Sequence, residues 1–217
     1  MAIKSIIKLL IPPIIWGGLS RLKNSRWQHS DNIFDDQSHT FKSRLKSANG
    51  YLEYGVGKST IWASRNSRAS IYGVDSSAEW IAMVLHECCN NVRLNLRHID
   101  LGPLGDWGRP VTLTKIQNIK NYTDSYWKKI SVNEIDLVLI DGRFRISCFY
   151  ATIANAKTGC VVVFDDYCDR PIYSLVENDL KPLYLEGRQA IFEVPELSKS
   201  QRNEFANKAI FFELVFD

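Results

Sequence analysis

Six acids and two glycines carry the chemistry that this sequence offers. Glu53, Asp75, Asp100, Asp141 and the pair Asp165-Asp166 each close a short apolar run, and Gly55 and Gly57 follow the first of them. In an open parallel sheet, ligands bind beyond the carboxyl ends of the strands, where strand order reverses. One acid at such an end is an ordinary helix cap. Five consecutive runs ending in acid point instead to a shared site. The letters Gly57-Lys58-Ser59 match the end of a phosphate-binding P-loop, which needs a glycine five residues before its Gly-Lys pair. Leu52 stands there, inside an apolar run, so the loop is too short to wrap a triphosphate.

Asp75 follows Gly57 by eighteen residues. That is the spacing of an acid that accepts hydrogen bonds from ribose hydroxyls at the end of a second strand. The glycines therefore predict a nucleoside cofactor, and two remain open. A nicotinamide dinucleotide wants a third glycine where Thr60 stands, and Glu53 would repel its pyrophosphate. The same carboxylate would attract the amino group and sulfonium of S-adenosylmethionine.

The elements that must position these residues follow from hydrophobic periodicity. Strands are predicted at "GYLEYG", "SIYGVD", "VRLNLRHID", "IDLVLID" and "GCVVVFDD", with helices at "TFKSRLKSA", "KSTIWASRN", "SAEWIAMVLHECC", "RISCFYATIANA" and "PIYSLVENDL". "PLYLE" and "AIFEV" flank Gly187-Arg188 and predict a closing antiparallel pair; the tail "AIFFELVFD" has strand character. Strands apolar on both faces that alternate with helices predict an α/β, doubly wound, mostly parallel seven-stranded Rossmann-like sheet with helices on both faces. Residues 1–39 read as an apolar, basic arm and linker, and residues 40–217 as the domain.

With these elements in place, the chain resembles the class I S-adenosylmethionine-dependent methyltransferases over about residues 45–195. "LEYGVGKS" is similar to that family's E-x-G-x-G loop, "YGVD" to its ribose-binding strand end, and "RHIDLG" stands where the family contacts adenine. The resemblance implies cofactor contacts from Glu53, Gly55, Gly57, Ser59, Asp75, Ser76, Asp100 and Leu101. The stretch from "DLVLIDGRFR" to "VVVFDDYCDRPIY" resembles the metal-dependent O-methyltransferases of macrolide and aminocoumarin sugars. It implies a magnesium ion on Asp141, Asp165 and Asp166, with Asp141 also the base that activates an acceptor hydroxyl. "GRFR" departs from those enzymes and is closer to bacterial methyltransferase-like proteins with "DGRFR" and "WG-x-P" segments. The implied activity is O-methylation of a small molecule or saccharide. The rival readings are a non-catalytic cofactor-binding protein of the same fold and a nicotinamide-dependent oxidoreductase or epimerase. The latter lacks a convincing Tyr-x-x-x-Lys pair.

Arg143, Arg145 and Arg170 flank the acids, and guanidinium groups suit carboxylate or phosphate recognition. They either bind an anionic acceptor, together with Tyr167 and Tyr173, or balance the acids. "LGDWGRP", residues 104–110, is a candidate lid, with Trp107 over the ligand or packed in its loop.

Net charge is +3 over 217 residues, too little to imply nucleic acid. The charge is uneven, with eight basic and three acidic residues in the first 48. Five cysteines without a C-x-x-C spacing form neither a disulfide framework nor a zinc pattern, as expected of thiols in a reducing cytoplasm. Residues 1–22 are apolar with Lys4 and Lys8, interrupted by Pro12-Pro13 and Gly17-Gly18, and cannot span a bilayer as one helix. They suit either the inner membrane surface or docking on the domain or on the second subunit of a homodimer.

Overall fold

The runs Leu137–Ile140 (β4) and Val161–Phe164 (β5) are apolar and buried at every position, and Gly50–Tyr54 (β1), which carries Glu53, is also buried throughout. Strands buried on both faces belong at the centre of a sheet. Ser70–Asp75 (β2) and Leu94–His98 (β3) extend it on one side, Gln189–Glu193 (β7) and Tyr184–Glu186 (β6) on the other. The order is β3-β2-β1-β4-β5-β7-β6. The strands β1 to β5 are parallel, and β7 runs antiparallel to both β5 and β6. Only the edge strands β3 and β6 mix exposed with partly buried positions. The computed structural model describes residues 33–89, 91–105, 108–130 and 134–215. The arm over residues 1–22, most of the predicted linker and Trp107 lie outside them.

The helices are His39–Ser47 (α1), Lys58–Asn66 (α2), Ala78–Glu87 (α3), Ile119–Thr123 (α4), Arg145–Asn155 (α5) and Lys199–Phe211 (α6). Alternation along β1 divides them between two layers. Tyr51 meets Phe41 of α1, which in turn meets Trp62 of α2. Leu52 and Tyr54 join the large core with Ile119, Phe149 and Tyr150 of α4 and α5. Tyr54 donates to the Thr123 carbonyl at 2.7 Å and accepts from the Trp127 indole at 2.8 Å, so its buried hydroxyl is satisfied twice. The N-terminus of α1 is finished from far along the chain. Ser38 makes no capping bond, and the Glu186 carboxylate of β6 accepts from the amides of His39 and Thr40.

"PIYSLVENDL" is helical as expected, as a 3-10 helix over Pro171–Asn178. Ser174 donates to the Pro171 carbonyl and Asn178 to the Leu175 carbonyl. The tail "AIFFELVFD" is not a strand at its start, because α6 runs through it to Phe211. Ser198 and Gln201 exchange the two bonds of a capping box, and Ala209 is held by Ser147 of α5 at 2.7 Å. All five cysteines are free, with Cys89 and Cys168 exposed and the others buried. Among the described residues no helix is long and apolar enough to cross a membrane.

The Tyr54 hydroxyl gives a direct test of this core. Tyr54→Phe leaves the Thr123 carbonyl and the Trp127 indole without their partner, and should lower the unfolding free energy by about 1–3 kcal/mol. Urea denaturation of both proteins reads the difference, and an unchanged midpoint would refute the assignment.

Candidate functional site

Strand register builds the site. Tyr54 pairs with Val74 on one side and Ile140 on the other, and Ile140 pairs with Phe164. The next residues, Asp75, Gly55, Asp141 and Asp165, therefore stand level along the carboxyl edge of the sheet. The ladder runs one step further there, with Asp141 donating to Tyr54 and Asp165 to Ile140. Strand order reverses between β1 and β4, and the loops after these strands bound the ligand crevice. They approach closely. A Cβ on Gly55, whose φ is +92°, would lie 2.7 Å from the Gly142 backbone, and one on Gly142 would collide with the Tyr122 hydroxyl.

On the β1–β2 side, Asp75 is aimed by two amides. Val56 donates to one carboxylate oxygen at 3.0 Å and Ser77 to the other at 2.8 Å. Burial lifts its pKa above the usual aspartate value, and these amides and the nearby Arg143 charge pull it back. Ser76 is buried and donates to the Gly108 carbonyl at 3.3 Å. Gly108 belongs to a small hairpin in which Leu104 bridges Pro110 and Gly105 donates to Arg109. Of the expected lid, Gly108 thus lies against the residue after Asp75.

Glu53 corrects an expectation. It does not face the crevice. It shares the α2 face of β1 with Tyr51 and is fully buried. Its two oxygens accept from the hydroxyls of Tyr51 and Thr60, and Thr60 accepts from the Gly57 amide at 2.8 Å. Ser59 is buried beside it. Glu53 therefore holds the glycine loop and the first turn of α2 from beneath. Desolvation raises its pKa to about 7. Trp80, which the sequence did not single out, donates its indole N–H to the Val56 carbonyl of the same loop. Asp100 is largely exposed and paired with Lys115, whose hydrogen bond lowers its pKa, and Leu101 is buried in the core.

On the β4–β5 side, Asp141, Asp165 and Asp166 converge as the sequence predicts, with a ligand oxygen from each within 4.8 Å of the others. Arginines fill the space between them. Arg145, 3% exposed, reaches Asp141 at 3.2 Å and Asp166 at 3.1 Å, and also donates to the carbonyls of Gly142 and Asp165. Arg188 grips Asp165 through two bonds of 3.1 and 2.6 Å and approaches Asp166 at 3.4 Å. Arg170 adds a contact to Asp166 at 3.4 Å, and Gln189 donates to Asp165 at 2.9 Å. Magnesium wants oxygen ligands at about 2.1 Å in octahedral array. Both oxygens of Asp165 and of Asp166, and one of Asp141, already face guanidinium groups. One leftover buried acceptor, Gln189 Oε1, does not replace them. The residues do not fit a resident magnesium ion.

The same packing revises the substrate assignments. Tyr173 is fully buried and lies 5.8 Å below the Arg145 and Arg170 guanidiniums, while Tyr167 is buried and donates to Glu177. Arg143 and Arg145 are buried as well, so of the predicted set Arg170 alone keeps substantial exposure. Phe144 and Asp166 both hold φ near 55°, a conformation that costs non-glycine residues roughly 1–3 kcal/mol and clusters at functional sites. Burial pushes the Asp141 carboxyl up, Arg145 draws it back, and the neighbouring carboxylates of Asp165 and Asp166 add to the rise.

Glu53 makes a pH prediction. An acid whose folded pKa exceeds its ordinary 4.5 favours the protonated fold, so its contribution is full below 4.5 and lost as pH rises through about 7. The stability of wild type relative to Glu53→Gln should fall across that window and level off above it. Chemical denaturation of both proteins at a series of pH values measures this, and a flat difference would contradict the raised pKa.

No protein family matches the chain in a scan of family models, and no curated protein matches it. Solved structures do. A methyltransferase-like protein from Silicibacter pomeroyi is 29% identical, over 83% of this chain and 96% of that one, with a TM-score of 0.70. An O-methyltransferase from Bacillus cereus, solved in complex with SAH, is 15% identical over 94% and 82%, with a TM-score of 0.44. The N-methyltransferase NodS from Bradyrhizobium japonicum is 15% identical over 76% and 99%, with a TM-score of 0.45. Strand order and the first of these similarities agree: the chain has the Rossmann-like methyltransferase fold.

Proposed function

We propose that the protein is an S-adenosylmethionine-dependent methyltransferase that methylates a hydroxyl of a small molecule or saccharide without a metal ion. The observation that carries this reading is the pair of carboxylates on either side of the glycine loop, with Asp75 aimed by two backbone amides and Asp141 open to the crevice. Asp75 keeps acceptor capacity on both oxygens for the two ribose hydroxyls. The close Gly55–Gly142 approach, with the Tyr122 hydroxyl beside it, leaves a narrow floor suited to the thin aminoacyl chain of the cofactor. S-adenosylmethionine, when bound, supplies a methyl carbon made electrophilic by its sulfonium.

Asp141 then acts on the acceptor. Its side chain is 31% exposed, and its pKa is raised, by burial first and then by Asp165 and Asp166, which strengthens it as a base. It takes the hydroxyl proton as the oxygen's electron pair forms the new bond to carbon. The carbon–sulfur bond breaks with its pair remaining on sulfur, leaving a thioether and a methyl ether. Arg145 fixes the carboxylate's orientation during this transfer.

Calorimetric titration tests the cofactor. Wild type should bind S-adenosylmethionine and not a nicotinamide dinucleotide. Asp75→Ala should bind it more weakly by about 1.5–3 kcal/mol, the range for a hydrogen bond to a charged group. Equal affinities would remove the ribose assignment. Binding that survives in Asp141→Asn, with methylation of a panel of glycosides lost, is the result expected of the base. A wild type that binds and methylates nothing in the panel would favour the non-catalytic reading.

A further inference from the structure

We propose that the Arg145 side chain occupies the place of a divalent cation between the strand-end carboxylates, making the site constitutively metal-independent and fixing Asp141 as a positioned, half-open group. The clearest sign is a single nitrogen. Arg145 Nη2 lies 3.2 Å from Asp141 Oδ1 and 3.1 Å from Asp166 Oδ2, bridging the end of β4 to the turn after β5 as an ion would. The rest of the fork is anchored as firmly. Nε donates to the Gly142 carbonyl at 3.0 Å and Nη1 to the Asp165 carbonyl at 2.7 Å.

Charge explains why a cation of some kind must be there. Three carboxylates this close repel one another, and in a buried setting that repulsion is poorly screened. A divalent ion would relieve it at one point. Here Arg145, Arg170 and Arg188 bring three positive charges against the three negative ones. The guanidinium also donates in fixed directions, whereas a hydrated ion coordinates any oxygen within reach. Asp166 is held in its left-handed backbone conformation with three arginines around its carboxylate. Arg145 comes from the first turn of α5, so the bridging charge is covalently part of the scaffold and cannot dissociate. It is a positioning residue, acting through Asp141.

The test is thermal unfolding of the full chain with millimolar magnesium and with chelator, for wild type, Arg145→Lys and Arg145→Gln. Wild type should melt at one temperature in both conditions. Arg145→Gln should melt lower in chelator and regain part of the loss in magnesium, because Asp141 Oδ1 and Asp166 Oδ2 then lose the nitrogen they share. Arg145→Lys should fall between them and respond weakly or not at all, since it keeps a charge but not the fork. Calorimetry with S-adenosylhomocysteine on the same samples reports folding of the crevice. Should it fail for wild type, the cofactor reading falls while the cation test still stands. A wild type whose melting temperature rises with magnesium and falls with chelator overturns the proposal. So does an Arg145→Gln protein that retains cooperative unfolding and ignores magnesium. If Arg145→Gln does not fold, Asp166→Asn in the same background removes one repelling acid, and folding restored by that change supports the proposal, whereas continued failure overturns it.

Discussion

Parallel strands in register bring their terminal side chains into one row, and in this protein the row is acidic. Neutralising those charges is the constraint to which the rest of the site answers. On the β5 side the answer is arginine, drawn from α5, from the segment before the 3-10 helix and from the β6–β7 turn. On the β2 side it is the backbone, through the amides of Val56 and Ser77. Glu53, on β1, is handled in a third way: it is buried among hydroxyls and held near the point of protonation. One sheet edge thus contains three distinct environments for the same functional group, and each suits a different task.

Much of this was legible in residue spacing. Continuous apolar runs gave away the central strands, and the interval from Gly57 to Asp75 placed the acid that the register sets beside Gly55. The pairing of "PLYLE" with "AIFEV" across Gly187-Arg188 was equally visible, since a short polar turn between two apolar runs has few other uses. What spacing could not give was the partner of each charge. Arg188 is far from Asp165 in sequence, and nothing local marks it as the residue that will grip that carboxylate.

Glu53 is the instructive case, because the needed signal was present. Tyr51 and Glu53 are two residues apart on a strand, so they share a face, and the helix packed on that face begins with Lys58-Ser59-Thr60. The period of two therefore directs Glu53 towards α2 and away from the crevice. The tail misled for the opposite reason. "AIFFELVF" has the composition of a strand, but Ser198 and Gln201 had already started a helix upstream, and packing on α5 carried it through Ala209. Local propensity is a weak guide where tertiary contacts decide.

The Glu186 carboxylate that accepts from His39 and Thr40 links the two ends of the domain in time as well as in space. A ribosome releases the chain from its N-terminus, so α1 emerges long before its cap exists. Until residue 186 has been made, the first turn of that helix has only water for its amides, and its first strand has neighbours only on the β2 side until β4 appears. Closing so long a loop carries an entropic penalty that no early contact offsets. The start of the domain is therefore among the last parts to be completed, and a chain stalled before its final hairpin would carry an unfinished first helix.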